Sequence, residues 1–270
     1  MPNLPVVAKT PKKKVAKTTV SFPSMVKQEV AKAIAKKTEN KLITENGYPN
    51  TPIGISYAQY VFPRVDSTLT RPLLPKLTGG VDPEQRIGAT VTPKVLKIRG
   101  TIYYDYKYAD SRNLSVRMML VTNRQQKYMP DLLTNAGNQY TSTLMWNGQT
   151  GTPTAYAGCQ PYYNTLPINR KAWNVIDDKI VHLRKGLNDF SNQTFMSPTT
   201  SHDFEYVLGA KDLPATLKYD GGLAITYPTN YAPVMYIGFV DSNGAMAVGD
   251  TGSDSVIEIQ YTTQLIFEDN

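Results

Sequence analysis

In the segment 94 to 106, apolar side chains fall on alternate positions. Leu96, Ile98, Ile102 and Tyr104 share one side of an extended chain, and Lys97, Arg99 and Thr101 share the other. A strand with one face against a core and one against water reads this way. Further strands read over 57 to 65, 114 to 122 (Leu114, Val116, Met118, Leu120), 174 to 184, 203 to 209 (Phe204, Tyr206, Leu208), 214 to 219, 233 to 240 and 256 to 267 (Ile257, Ile259, Tyr261, Leu265, Phe267). With 18 Tyr, 19 Pro and 18 Gly and few helix-forming runs after residue 46, the expected class is all-β, with eight strands.

The segment 233 to 240 departs from alternation in an informative way. Val234, Tyr236 and Val240 make one face apolar, and Met235, Ile237 and Phe239 make the other apolar as well, as in a central strand covered on both sides. Asp220-Gly221-Gly222 and Asp241-Ser242-Asn243-Gly244 are turn signals. Two connections, 66 to 93 and 125 to 173, exceed what a compact domain needs. Across and at the end of the second lie Tyr140, Trp146, Tyr156, Tyr162, Tyr163 and Trp173, large side chains with polar handles. Such residues are typical of subunit contacts, so these are the expected interface residues. The competing reading is that they pack on their own domain.

Charge is segregated along the chain. The first 46 residues carry ten lysines (Lys9, Lys12, Lys13, Lys14, Lys17, Lys27, Lys32, Lys36, Lys37, Lys41), no arginine, and three acids, Glu29, Glu39 and Glu45. Ten minus three is +7, the net charge of all 270 residues, and the rest of the chain balances. A neutral body on a cationic arm points to a polyanion held by one end, with the ten lysines as the nucleic-acid-binding residues. Within the arm, 1 to 23 combine four prolines with the run Lys12-Lys13-Lys14 and are expected to be disordered. From Ser24 to about Leu42, Val26, Val30, Ala33 and Ile34 recur at helical spacing, which predicts a basic amphipathic helix stopped by Asn46-Gly47. The expected division is an arm over 1 to 46 and a folded domain over 47 to 270. Pro11-Lys12-Lys13-Lys14-Val15 also has the form of a nuclear-import signal.

Catalytic chemistry has little to stand on. His182 and His202 lie 20 residues apart, away from the one cysteine, Cys159, and form no zinc arrangement; no metal and no cofactor is expected. There is no Gly-x-Ser-x-Gly elbow, Walker A loop or dinucleotide glycine motif. Asp250-Thr251-Gly252 looks like the aspartic-protease turn, but it occurs once and follows Gly249 rather than an apolar strand, so Asp250 reads as a turn residue. Asp177-Asp178 would converge on one ion only across a bulge, since successive strand residues face opposite ways. No window approaches the ~18 apolar residues of a membrane span, nor the ~7 to 15 residue apolar core of a secretory signal, and a soluble chain made in the cytosol is expected.

Several blocks in order carry a resemblance. Pro83-Glu84-Gln85-Arg86-Ile87-Gly88 is followed by Val91-Thr92-Pro93-Lys94-Val95-Leu96-Lys97-Ile98-Arg99-Gly100; Asn174-Val175-Ile176-Asp177-Asp178-Lys179, Phe204 to Tyr219 and Ser255 to Phe267 come after. Over roughly 55 to 267 this resembles capsid proteins of small circular Rep-encoding single-stranded DNA viruses, the group that includes circoviruses. The resemblance implies a single eight-stranded viral jelly roll of two packed antiparallel sheets, with a basic N-terminal arm. It also implies a homo-oligomeric icosahedral shell of about 60 copies around single-stranded DNA, located in the virion and, during assembly, in the host nucleus. The arm departs from the family in being lysine-only and modest, where circovirus arms are long and arginine-rich. A satellite-type single-stranded RNA virus coat protein shares much of the layout. From other classes, the alternatives are a monomeric nucleic-acid- or carbohydrate-binding β-sandwich and a dimeric aspartic protease using Asp250; the primary expectation is not an enzyme.

Overall fold

The structure, a computed structural model, describes residues 26–27, 40–54, 59–62, 64–66, 69–71, 73–104, 113–128, 143–147, 152–154, 164–184, 201–221, 224–241 and 255–269. The chain divides into two compact units, Met1–Glu39 and Asn40–Asn270. In the first, Val26 and Lys27 are helical and exposed; the rest of the expected helix up to residue 39, and of the segment expected to be disordered, lies outside the described residues.

Thirteen strands are described in the second unit: β1 (Asn40–Gly54), β2 (Gln59–Phe62), β3 (Arg64–Asp66), β4 (Leu69–Arg71), β5 (Thr90–Tyr104), β6 (Asn113–Asn123), β7 (Met145–Asn147), β8 (Thr152–Thr154), β9 (Trp173–Arg184), β10 (Ser201–Leu208), β11 (Leu217–Lys218), β12 (Pro233–Asp241) and β13 (Ser255–Asp269). They form one sheet in the order β1-β13-β5-β10, with β11 added beside β5, and a second in the order β2-β12-β6-β9. β3-β4 and β7-β8 are separate two-stranded ribbons. With β11 and the ribbons set aside, eight strands remain. Numbered along the chain, they run first-eighth-third-sixth in one sheet and second-seventh-fourth-fifth in the other, all antiparallel. Two Greek keys wound together give this order, and the fold is a jelly roll.

Seven of the eight strands come from segments expected to be strands from the sequence. The eighth differs: 214 to 219 contributes only the two residues of β11, against Val91 and Thr90, and the first strand of the roll is β1. β1 begins at Asn40, inside the expected helix and ahead of the expected arm boundary at 46. Its ladder with β13 runs from Asn40 opposite Glu268 to Gly47 opposite Tyr261. From Gly47 to Thr51 it advances four residues while β13 moves from Tyr261 to Ile259, so a bulge absorbs the turn formers that looked like a helix stop. Pairing with a distant strand, which local periodicity cannot register, overrides the local preference.

The two faces of the first sheet divide as the alternation requires. Leu96, Ile98 and Ile102 of β5 and Ile257, Ile259, Tyr261, Leu265 and Phe267 of β13 are buried. The other face is a polar ladder, with Arg99 bonded to Glu205, Thr101 to Asp203 (2.6 Å) and Tyr103 to Glu258 (2.5 Å). Gly100 sits opposite Phe204 on one neighbour and Tyr261 on the other. A Cβ there would come within 2.6 Å of the Phe204 ring and 2.3 Å of the Gln260 carbonyl, so glycine makes room for a flanking aromatic pair.

The second sheet is covered on both sides. β12 lies between β2 and β6, and Val234, Met235, Tyr236, Ile237, Phe239 and Val240 are all buried. Its cover comes from the segment after β6, where Leu144, Met145 and Ile168 are buried, and from Trp173, whose ring meets Tyr236 edge-on at 5.9 Å. A bulge in β9 makes that placement possible. Leu120 faces Asp177 but Val121 faces Val175, so Ile176 is an extra residue and the strand changes phase there. Trp173 therefore shares a face with Asn123, Val121 and Met119, while Val181 and Leu183 remain with Val116 and Leu114 in the interior. Arg117, 4% exposed, fastens the cover: it donates to both carboxylate oxygens of Asp178 (2.8 and 2.7 Å) and to the carbonyls of Asn164 (3.1 Å) and Leu166 (2.9 Å).

Arg86 is a second buried guanidinium. It donates to the carbonyls of Gly88 (2.6 Å) and Ile225 (2.8 Å) and lies 4.5 Å over the Tyr219 ring, stapling the turn before β5 to the segment after β11.

Two outcomes are expected. Gly100→Ala overpacks the flanking aromatic pair and lowers unfolding free energy by about 1–3 kcal/mol in a denaturant titration. Arg117→Leu leaves two carbonyls and the Asp178 carboxylate without their donor, costing about 2–4 kcal/mol. Hydrogen exchange should then rise at 164–172 before it rises in β5 or β13.

Candidate nucleic-acid and assembly surfaces

Of the ten lysines, two are described. Lys27 is exposed on its helical turn. Lys41 belongs to the sandwich: its ammonium is 2.6 Å from Asp269 Oδ2, donates to the Gln85 carbonyl at 2.7 Å, and its side chain is 10% exposed. A cation so engaged is a fastener between β1, the end of β13 and the turn before β5, which corrects its place among the nucleic-acid contacts. Lys9, Lys12, Lys13, Lys14, Lys17, Lys32, Lys36 and Lys37 lie outside the described residues. Moving the boundary to residue 39 leaves the segregation intact, because Lys41 and Glu45 leave the arm together: nine lysines less Glu29 and Glu39 is again +7.

The aromatic residues divide similarly. Trp173 is 0% exposed, and its indole N–H donates to Thr143 Oγ1 at 3.3 Å; it is core, not interface, for the bulge turns it onto the sheet. Trp146 is half-buried on β7, with Lys171 Nζ 5.3 Å from its ring centre. Tyr140, Tyr156, Tyr162 and Tyr163 lie outside the described residues, as does Asp250.

Asp177 and Asp178 go separate ways. Asp178 pairs with Arg117 on the covered face, while Asp177 is on the inter-sheet side, beside Tyr206. Burial first, and the Asp177 carboxylate second, raise the Tyr206 phenol far above its usual range. The two carboxylates do not converge, and among the described residues no group of three or more metal-binding side chains occurs.

The histidines are likewise apart. His182 is exposed, 3.0 Å from Ser115 Oγ. His202 begins an inter-sheet row with Phe204 and Tyr206, where Lys179 reaches across from β9 to lie 4.8 Å from the Tyr206 ring centre and 6.0 Å from that of Phe204. Burial, then the Lys179 charge, lower the His202 pKa below its usual 6.5, against a smaller opposing effect of Asp203. A base depressed in the folded state binds its proton more readily when unfolded. Its contribution is therefore present above 6.5 and lost as pH falls through the folded value. His202→Gln should flatten the fall in melting temperature between about pH 7 and pH 5.

The strand pairing also gathers exposed cations that the sequence keeps apart: Arg124 and Lys127 leave β6 where Arg170 and Lys171 enter β9. The pairing of Asn123 with Trp173 brings their turns together, and no periodicity signals it.

No family model matches the chain, and no curated protein matches it. A solved structure titled Desmodium yellow mottle tymovirus is similar at 11% identity, with a TM-score of 0.35, over 100% of this chain and 96% of that one. The jelly-roll assignment rests on the strand order itself.

Proposed function

We propose that this chain is a viral coat protein, a jelly-roll unit that assembles with copies of itself into a closed shell and holds single-stranded nucleic acid through its lysine arm. The observation that carries the reading is the union of two features in one chain. A jelly roll with both sheets completed is joined to a segment, 1 to 39, that holds the entire net charge of +7. Shell proteins use this fold as a wall element. Lysines, compact and flexible point charges, suit phosphate neutralisation without regard to sequence.

The finer reading follows the resemblance: about 60 copies around a circular single-stranded DNA genome, with assembly in the host nucleus. The basic run Lys12-Lys13-Lys14 supports nuclear entry. Releasing condensed counterions from a single strand gives a slope of about −0.7 per phosphate, so the arm contributes about −5 to the slope of log affinity against log salt.

The test is paired. Electron microscopy of the purified full chain should find closed particles; a monodisperse monomer under every assembly condition overturns the coat reading in favour of a solitary binding module. In the full chain with the nine lysines of 1 to 39 changed to glutamine, the salt slope for single-stranded DNA should shrink by about 5. An unchanged slope removes the arm's role.

A further inference from the structure

Four exposed cations meet at one end of the second sheet. Arg124 and Lys127 follow β6, Arg170 and Lys171 precede β9, and the Arg124 N–H donates to the Ala172 carbonyl at 2.9 Å, setting the two turns side by side. Each turn is pinned by a buried asparagine. Asn123 Oδ1 accepts from the N–H groups of Gln125 (2.8 Å) and Gln126 (2.9 Å). Asn169 Oδ1 accepts from the Lys171 N–H (3.2 Å), and its carbonyl accepts from those of Ala172 (3.1 Å) and Trp173 (3.0 Å). Asn169 also donates to the Thr143 carbonyl (3.1 Å), just ahead of the ribbon that carries Trp146.

Arg124 and Lys171 are thus displayed on hydrogen-bonded backbone, with Lys127 and Arg170 on the same two turns. Among the described residues no carboxylate is paired with any of the four; the described ion pairs are Lys41–Asp269, Lys94–Glu268, Arg99–Glu205 and Arg117–Asp178. Beside them stands Trp146, half-buried, with Lys171 against its ring.

We propose that this end of the sandwich is a second contact for single-stranded nucleic acid, in which Arg124, Lys127, Arg170 and Lys171 take phosphates and Trp146 gives a base a stacking platform. The inference rests on the coat-protein reading for its partner, but the contact is independent of the arm. Cations interleaved with an aromatic ring match a single strand, whose every base has a π-face, better than a sulfated polysaccharide, which offers anions alone. Arginine adds the planar fork that fits phosphate oxygens.

The experiment uses full-length protein, an oligothymidylate probe and a salt series, with heparin binding measured in parallel. Changing Arg124, Lys127, Arg170 and Lys171 together to glutamine should shrink the salt slope by about 3, at about 0.7 per phosphate. Because all four side chains are exposed, the melting temperature should hold. Trp146→Ala should weaken oligothymidylate binding roughly fivefold or more with the slope unchanged, and Trp146→Phe should recover most of it. An unchanged slope in the fourfold variant overturns the proposal. So does loss of heparin binding with oligothymidylate binding intact, which assigns the patch to a sulfated glycan. The arm variant reports separately: if it alone loses its slope, the coat-protein reading stands and this contact falls.

Discussion

The architecture depends on one strand being apolar on both faces. With Met235, Ile237 and Phe239 turned to the interior and Val234, Tyr236 and Val240 turned the other way, β12 cannot serve a half-wet sheet. At about 1.5–3 kcal/mol for each large side chain buried, leaving the second face in water would forfeit much of a domain's net stability. A cover is therefore obligatory. The long connection before β9 supplies it, Arg117 fastens it through the Asn164 and Leu166 carbonyls, and the extra residue Ile176 turns Trp173 onto it. The first sheet needs no such cover, and its outer face carries a ladder of hydrogen bonds between charged and hydroxyl side chains.

Much of this was legible in the sequence, and the exceptions share one cause. Apolar patterning located seven strands of the roll, among them the doubly apolar segment 233 to 240 at its buried centre. What escaped was whatever a distant partner decides. β1 hides behind the lysine-alanine pattern ahead of it and the turn formers within it, because its strand character comes from β13. Lys41 counts as an arm lysine until Asp269 is found beside it. Trp173 looks like a loop aromatic until the shifted register of β9 is known. The cation cluster at the ends of β6 and β9 was invisible for the same reason.

The charge distribution survives that correction and is sharpened by it. Exchanging Lys41 and Glu45 from arm to body leaves both sums unchanged, so the body remains neutral and the +7 belongs wholly to the segment before β1. A neutral body can meet copies of itself without net repulsion, which suits the assembly proposed above. It also means that basic groups on the body act through local arrangement rather than through overall charge.

The ladder between β1 and β13 joins residues near 40 to residues near 268, and β5 then pairs with that same β13. The first sheet therefore has no middle until β13 has emerged from the ribosome. Until then, both long edges wait with open hydrogen-bonding groups, and topology of this kind folds slowly. Synthesis itself thus acts as a timer: the first sheet of a nascent chain stays open until β13 has been made.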